Sequence, residues 1–180
     1  MIKFSLSILI IFCYSVVFSQ DTSQTIKKLE PRTQVAGTHF SIQPPEHFNY
    51  SEKLNGFIHP GSASSIVITE AENISWIQAC QDLTPENLTG QNVSLISMED
   101  IQLKNGMKGR FYVMRLIVAS NDSTKQNMEF ERLMLFTGDY HRTGWLNANY
   151  PSLLKPVLYD ILRESMLSVE MNESTNQSKE

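Results

Sequence analysis

An apolar stripe near the C terminus constrains the fold most strongly. Lys155, Asp160, Arg163 and Glu164 fall outside this stripe, and Pro156 has to lie in the first helical turn, where its missing N–H costs least. Because an amphipathic helix must cover an apolar surface, we expect this one to pack against a sheet. The stripe consists of Leu153, Leu154, Val157, Leu158, Ile161, Leu162 and Met166.

The chain before this helix has the alternation and turn residues of β-strands. Asn105-Gly106 is a strong hairpin signal, and Ser75 followed by Gln78 predicts a capping box that begins a middle helix. The pattern predicts an α+β fold, with an antiparallel sheet of about six strands sandwiched by a middle helix and the amphipathic C-terminal helix. The predicted strand segments are 38–42, 56–59, 64–70, 93–103, 107–119, 128–137 and 142–150.

The N terminus is typical of a secretory signal. Lys3 precedes a run of about fifteen apolar residues, shorter than the roughly 20 that a spanning helix needs. Small residues at Val17 and Ser19 predict cleavage before Gln20. We expect a signal peptide at 1–19, a polar leader arm at 20–36, a folded domain at 37–169 and a disordered tail at 170–180.

The mature chain is expected to be secreted or periplasmic and monomeric. Loss of Lys3 changes the formal net charge from −4 to −5, and no basic run remains for nucleic acid or for an anionic membrane surface. Cleavage also removes Cys13, so Cys80 has no partner for an intramolecular disulfide. Its place in a helical pattern predicts that the Cys80 thiol is buried.

Seven Asn-x-Ser/Thr sequons leave two interpretations open. In a eukaryotic secreted protein they would be glycan sites. In a bacterial exported protein they reflect only a sequence rich in Asn and Ser, and the missing disulfides and short signal favour this second interpretation. The sequons begin at Asn49, Asn73, Asn87, Asn92, Asn121, Asn172 and Asn176.

The order of elements resembles the PsbP-like family, which includes the photosystem II subunit PsbP, the Ran-binding Mog proteins and many exported bacterial proteins. The resemblance is carried by residues 37–42 before Pro44-Pro45, by the strands at 56–58 and 64–70, and by Tyr150-Pro151 before the last helix. It spans about 37–169 and implies a scaffold that binds other molecules, without catalytic residues. Neither a photosystem-binding basic arm nor a Ran-binding signature is present, so it implies neither partner.

Two arginines interrupt apolar strand faces. A turn centred on Ser123-Thr124 places Arg115 directly opposite Arg132, and two like charges in that position need a negative partner. An internal carboxylate, from Glu70, Glu72 or Glu99, can supply it, or a bulge can turn one arginine outward. The alternative is an anionic ligand, which arginine binds in a bidentate manner. This pair predicts an anion-binding patch on the sheet.

Three aromatic residues, Tyr140, Trp145 and Tyr150, surround the last hairpin and predict a partner surface, although aromatic residues in strands are also common in cores. Asp139 and His141 supply a possible base without a paired nucleophile, so the alternative function is a small exported hydrolase. No zinc-motif spacing occurs, and we expect neither a metal nor a cofactor. The sequence predicts an exported, non-enzymatic binding or accessory protein whose partner is an unknown protein or a small anionic ligand.

Overall fold

The computed structural model describes residues 28–88, 93–118 and 127–172 of the chain. The strands in these ranges are β1 (Thr33–Gln34), β2 (Phe40–Ile42), β3 (Asn49–Ser51), β4 (Gly56–His59), β5 (Ser64–Glu72), β6 (Val93–Gln102), β7 (Lys108–Val118), β8 (Met128–Gly138), β9 (Arg142–Pro151) and β10 (Glu170–Met171). The α-helices are α1 (Trp76–Ala79), α2 (Pro85–Leu88) and α3 (Lys155–Leu167), and 3-10 turns occupy Glu52–Leu54 and Ser152–Leu154.

Seven strands form the main sheet, in the order β3-β4-β5-β9-β8-β7-β6, and every neighbouring pair is antiparallel. The predicted α+β class is confirmed. The additional strand is β3, three residues long, which is too short for alternation to reveal. Strand β9 lies between β5 and β8, so the centre of the sheet depends on pairing between residues far apart in sequence.

One side of the main sheet, the α3 face, carries the larger core. Leu158, Ile161, Leu162 and Met166 of α3 are buried there. Leu153 differs from the predicted stripe because it is 81% exposed, in the 3-10 turn that precedes the α-helix. The buried strand residues of this core include Phe57, Ile66, Ile68, Phe111, Val113, Leu133, Leu135, Leu146 and Ala148.

The other side, the α1/α2 face, is covered in part by two one-turn helices. The predicted capping box is confirmed, because the Ser75 hydroxyl accepts from Gln78 N while the Gln78 side chain accepts from Ser75 N. Cys80 is buried as predicted, at 1% exposure. The middle helix restarts at Pro85, as the sequence predicts, since proline suits the first turn of a helix better than its interior. The helices cover Tyr112, Met114, Met134 and Phe136.

A second, three-stranded sheet is formed in the order β1-β2-β10. Val35, just after β1, is fully buried in the larger core. Arg32 ties the two outer strands together, because it forms an ion pair of 2.8 Å with Glu170 and donates to the Ser168 carbonyl at 2.6 Å. The packed unit therefore extends on both sides of the 37–169 range that the sequence suggested.

A buried carboxylate joins the two sheets. Glu70 of β5 is 2.9 Å from His39 Nδ1 and 3.1 Å from Arg142 Nε, and it also accepts from His39 N at 2.6 Å. Gly144 of β9 also lets the two sheets pack closely, because a Cβ at this position would lie 2.9 Å from the Phe40 ring of β2. Glu70 is thus occupied locally and does not neutralise Arg115 or Arg132.

The predicted signal peptide, the first part of the leader arm and residues 173–180 of the predicted tail lie outside the described residues. Across 28–88, 93–118 and 127–172, no helix is long and apolar enough to cross a membrane.

Candidate ligand-binding face

Neighbouring strands bring Arg132 and Asn149 together on the α1/α2 face. The two residues are direct partners in the β8–β9 register, and Arg132 Nε donates to Asn149 Oδ1 at 2.7 Å. Alternation along β9 places Asn147 and Trp145 on the same side, and β5 contributes the residues that pair with the two asparagines. We call this set the open face, because all six members remain at least partly exposed: Ser65, Val67, Arg132, Trp145, Asn147 and Asn149.

The guanidinium of Arg132 is partly buried and lacks an acidic partner among the described residues. Its hydrogen bond to Asn149 occupies Nε and leaves the two terminal nitrogens. Desolvation by burial lowers the pKa of Arg132 from its ordinary value, although an arginine remains charged at physiological pH. The described part of the protein therefore holds a positive charge at this point without a carboxylate to balance it.

Two further side chains on the open face lack a full set of contacts. The Asn147 Oδ1 atom is buried and accepts no hydrogen bond from the described part of the chain. The Trp145 ring stacks on Phe136, with 5.4 Å between ring centroids and 19° between planes, yet it remains 41% exposed. The open face thus combines a cation, an unused acceptor and a flat apolar surface.

Arg115 does not join this site. It pairs with Glu131 in the β7–β8 register while Arg132 pairs with Met114, so the predicted Arg115–Arg132 pairing is wrong by one residue. A shift of one residue sends the two side chains to opposite faces of the sheet. Arg115 is also neutralised, because its Nε lies 3.1 Å from Glu129 Oε1. The two arginines cannot form one patch on this sheet.

The three predicted aromatic residues also separate. Tyr140 is 83% exposed in the turn between β8 and β9, and Trp145 lies on the open face. Tyr150 is fully buried on the α3 face, so it is not available to a partner in the way that the sequence suggested. The physical reason is the parity of β9, whose odd and even positions point to opposite sides of the sheet.

Asp139 stabilises the turn between β8 and β9. Its Oδ1 atom accepts from the backbone N–H groups of His141 and Arg142, each at 2.7 Å, which stabilises the reversal between β8 and β9. No hydrogen bond to a nucleophile accompanies His141 in the described ranges. Among those residues there is also no group of three His, Cys, Asp or Glu side chains that could hold a metal ion.

Sequence reasoning missed Asn147 and Asn149, although a signal was present. Both follow Trp145 at intervals of two in a strand, so they share its face. It also missed Glu131, which is 3% exposed on the α3 face and bonds to Tyr150 and Lys155. That carboxylate lies between Phe130 and Arg132 in sequence, and nothing local shows which residues satisfy it.

A separate cleft of about 250 Å³ lies beside the C-terminal end of α3. Two of its cations are already paired, because Arg32 binds Glu170 at 2.8 Å and Arg163 binds Glu99 at 2.9 Å. Its wall also carries acidic groups, so it offers no net charge preference. The open face is the better candidate because its cation, Arg132, has no acidic partner among the residues that the structure describes.

No family model matches the sequence, and no curated protein matches it. Solved structures do match. Cyanobacterial PsbP (CyanoP) from Synechocystis sp. PCC 6803 has a TM-score of 0.55 at 10% identity, covering 78% of this chain and 91% of that one. The Ran-binding protein Mog1p of Saccharomyces cerevisiae has a TM-score of 0.55 at 12% identity, covering 82% and 98%. A Bacteroides thetaiotaomicron protein has a TM-score of 0.52 at 12% identity, covering 82% of this chain and 50% of its own length.

The chain therefore belongs to the class of α+β sandwiches with an antiparallel sheet and a C-terminal helix. More particularly, it has a PsbP/Mog-like fold, as the sequence resemblance implied. At 10–12% identity these likenesses concern the fold.

Proposed function

We propose that this chain is an exported, non-enzymatic accessory protein that binds an anionic group at Arg132 on the open face. The observation that carries the proposal is the partly buried guanidinium of Arg132, which bonds to an amide and has no described carboxylate beside it. A cation removed from water without a counter-charge gains most from an anionic ligand, because charge-assisted hydrogen bonds to arginine are short and strong.

Binding rather than catalysis is supported by the composition of the open face. Its six residues include no His, Cys, Lys or carboxylate, so Ser65 has no general base among them. The comparison with Mog1p adds support, since that protein is a Ran-binding protein with the same fold. Export is supported by the signal-like residues 1–19, and N-terminal sequencing of the exported fraction should begin at Gln20.

The test uses acetate as the probe and the exported chain at constant ionic strength. We expect acetate to shift the amide NMR signals of Arg132 and Asn149 with saturation. Replacement Arg132→Met removes the charge at similar side-chain length and should abolish this response. Arg115→Met is the matched control, because Arg115 is already paired with Glu129 on the other face. The proposal fails if Arg132→Met keeps the wild-type half-saturation concentration.

A further inference from the structure

We infer that the open face binds the carboxyl end of an extended peptide, with the terminal carboxylate on Arg132 and an apolar side chain on Trp145. This inference rests on the proposed binding of an anionic group at Arg132. A peptide end supplies a monovalent carboxylate, backbone N–H donors and side chains at regular spacing. The open face presents a matching group for each of the three.

The spacing along β9 suits a peptide. Trp145, Asn147 and Asn149 alternate on one side of this strand, and Arg132 is directly opposite Asn149. The distance along the strand from Trp145 to Asn149 is about 13 Å at roughly 3.3 Å per residue. An extended peptide covers the same distance in four steps. A small aromatic acid is too short to reach both ends.

The charge at one end suits a carboxylate. Arg132 keeps its two terminal nitrogens for a ligand, since its described hydrogen bond uses Nε. The planar arrangement of these N–H groups matches the two oxygens of a carboxylate. The open face as defined holds this single cation, which balances one negative charge and leaves a dianionic phosphate half neutralised.

The middle of the face suits a backbone amide. Asn147 Oδ1 is buried and accepts no hydrogen bond from the residues that the structure describes. A buried acceptor without a donor is costly. Because the Asn147 residue as a whole is partly exposed, rotation of its side-chain amide would let the N–H of a bound peptide relieve that cost. Val67, the β5 partner of Asn147, provides an apolar floor beside it.

The far end suits a large apolar side chain. Phe136 supports one side of the Trp145 ring by stacking, which leaves the outer side of the ring available. Aromatic rings in this position gain from offset or edge contacts with another ring. The apolar residue of the ligand would lie four positions before its last residue.

The experiment compares acetyl-Phe-Ala-Ala-Ala-Ala as a free acid with the same peptide as an amide, by calorimetry on the exported chain. We expect the acid to bind about tenfold more tightly or better, since the amide cannot form the charge-assisted pair. Replacing Phe by Ala in the peptide should lower affinity about fivefold. Arg132→Met should remove the preference for the acid, while Trp145→Ala should remove the preference for Phe and keep that for the acid. Arg115→Met should bind as the wild type does.

Each outcome separates this inference from the proposed function. Equal affinity of the acid and amide peptides overturns the inference, as does an acid peptide that binds no more tightly than acetate. In both cases saturable acetate binding at Arg132 leaves the proposed function standing. Absence of both acetate and peptide binding overturns both. Circular dichroism checks the fold of each variant, and Trp145→Phe, expected to keep the preference for Phe, replaces Trp145→Ala if that variant unfolds.

Discussion

Tyr150 donates a hydrogen bond of 2.5 Å to Glu131 Oε2 beneath helix α3. The second oxygen, Oε1, lies 2.9 Å from Lys155 Nζ at the start of that helix. Glu131 and Tyr150 are 3% and 0% exposed. One buried carboxylate of β8 therefore connects β9 and α3, which each supply one donor to it.

Replacement Tyr150→Phe should destabilise the protein by about 1–3 kcal/mol. The substitution removes the phenolic donor and leaves a buried carboxylate oxygen unsatisfied, while the ring volume is retained. Urea unfolding measures the change in the free energy of unfolding. Tyr140→Phe is the control, since Tyr140 is 83% exposed and should change stability by less than about 0.5 kcal/mol. Equal effects of the two substitutions would show that the Glu131 bond contributes little.

Stability should fall as pH rises from about 10 to about 12. Burial is the main cause that raises the pKa of Tyr112 to about 12, with a further contribution from the neighbouring Cys80. Unfolded tyrosine titrates near pH 10, so above that pH the unfolded chain loses a proton that the folded chain keeps, and unfolding becomes more favourable.

The variant Tyr112→Phe should reduce this slope by about one proton. Urea midpoints measured from pH 9 upward, at intervals on the order of half a unit, give the slope from the linkage relation. Tyr140→Phe again serves as the control and should keep the wild-type slope. An unchanged slope in Tyr112→Phe would contradict the raised pKa.

Alanine substitutions at two leucines test which part of the apolar stripe is buried. Leu162→Ala should cost about 2–5 kcal/mol, because Leu162 is fully buried and its removal leaves a cavity in the α3-face core. Leu153→Ala makes the same chemical change at an exposed position and should cost less than about 0.5 kcal/mol. Similar losses at both positions would show that the stripe is buried along its whole length.

The capping box of α1 should limit how often the Cys80 thiol, at the end of this helix, becomes accessible. Ser75→Ala removes the hydroxyl that accepts from Gln78 N at 3.4 Å, which should destabilise the short helix by about 1 kcal/mol. That loss corresponds to about fivefold faster labelling of the Cys80 thiol through local opening. Ser51→Ala is the control, because Ser51 precedes a 3-10 turn without a side-chain cap bond. Rapid labelling of the wild-type protein would contradict the burial of Cys80.

Strand positions were predictable wherever the local pattern was long. The segments predicted at 56–59 and 93–103 correspond to β4 and β6, because alternation and turn residues are properties of neighbouring positions. The short β1 and β10 were not predicted. Each has two residues, and each exists because β2 pairs with it.

The candidate site was predictable in part. The sequence identified Arg132 as an unusual charge in an apolar strand and Trp145 as an available aromatic residue, and both lie on the open face. It could not show that Arg115 belongs to the other side. Strands β7 and β8 are apolar on both faces, since helices cover both, and so the pattern does not select a register.

Whether a feature was predictable from the sequence depends on how far apart in the chain the interacting residues lie. The positions of the longer strands and of the C-terminal helix, and the cap at Ser75, depend on residues within a few positions of one another, and the sequence was sufficient for them. The insertion of β9 between β5 and β8, the separation of Arg115 from Arg132 and the burial of Glu131 depend on which distant segments pair. Those pairings minimise the free energy of the whole core, and the β8–β9 register placed Arg132 beside Asn149 on the open face.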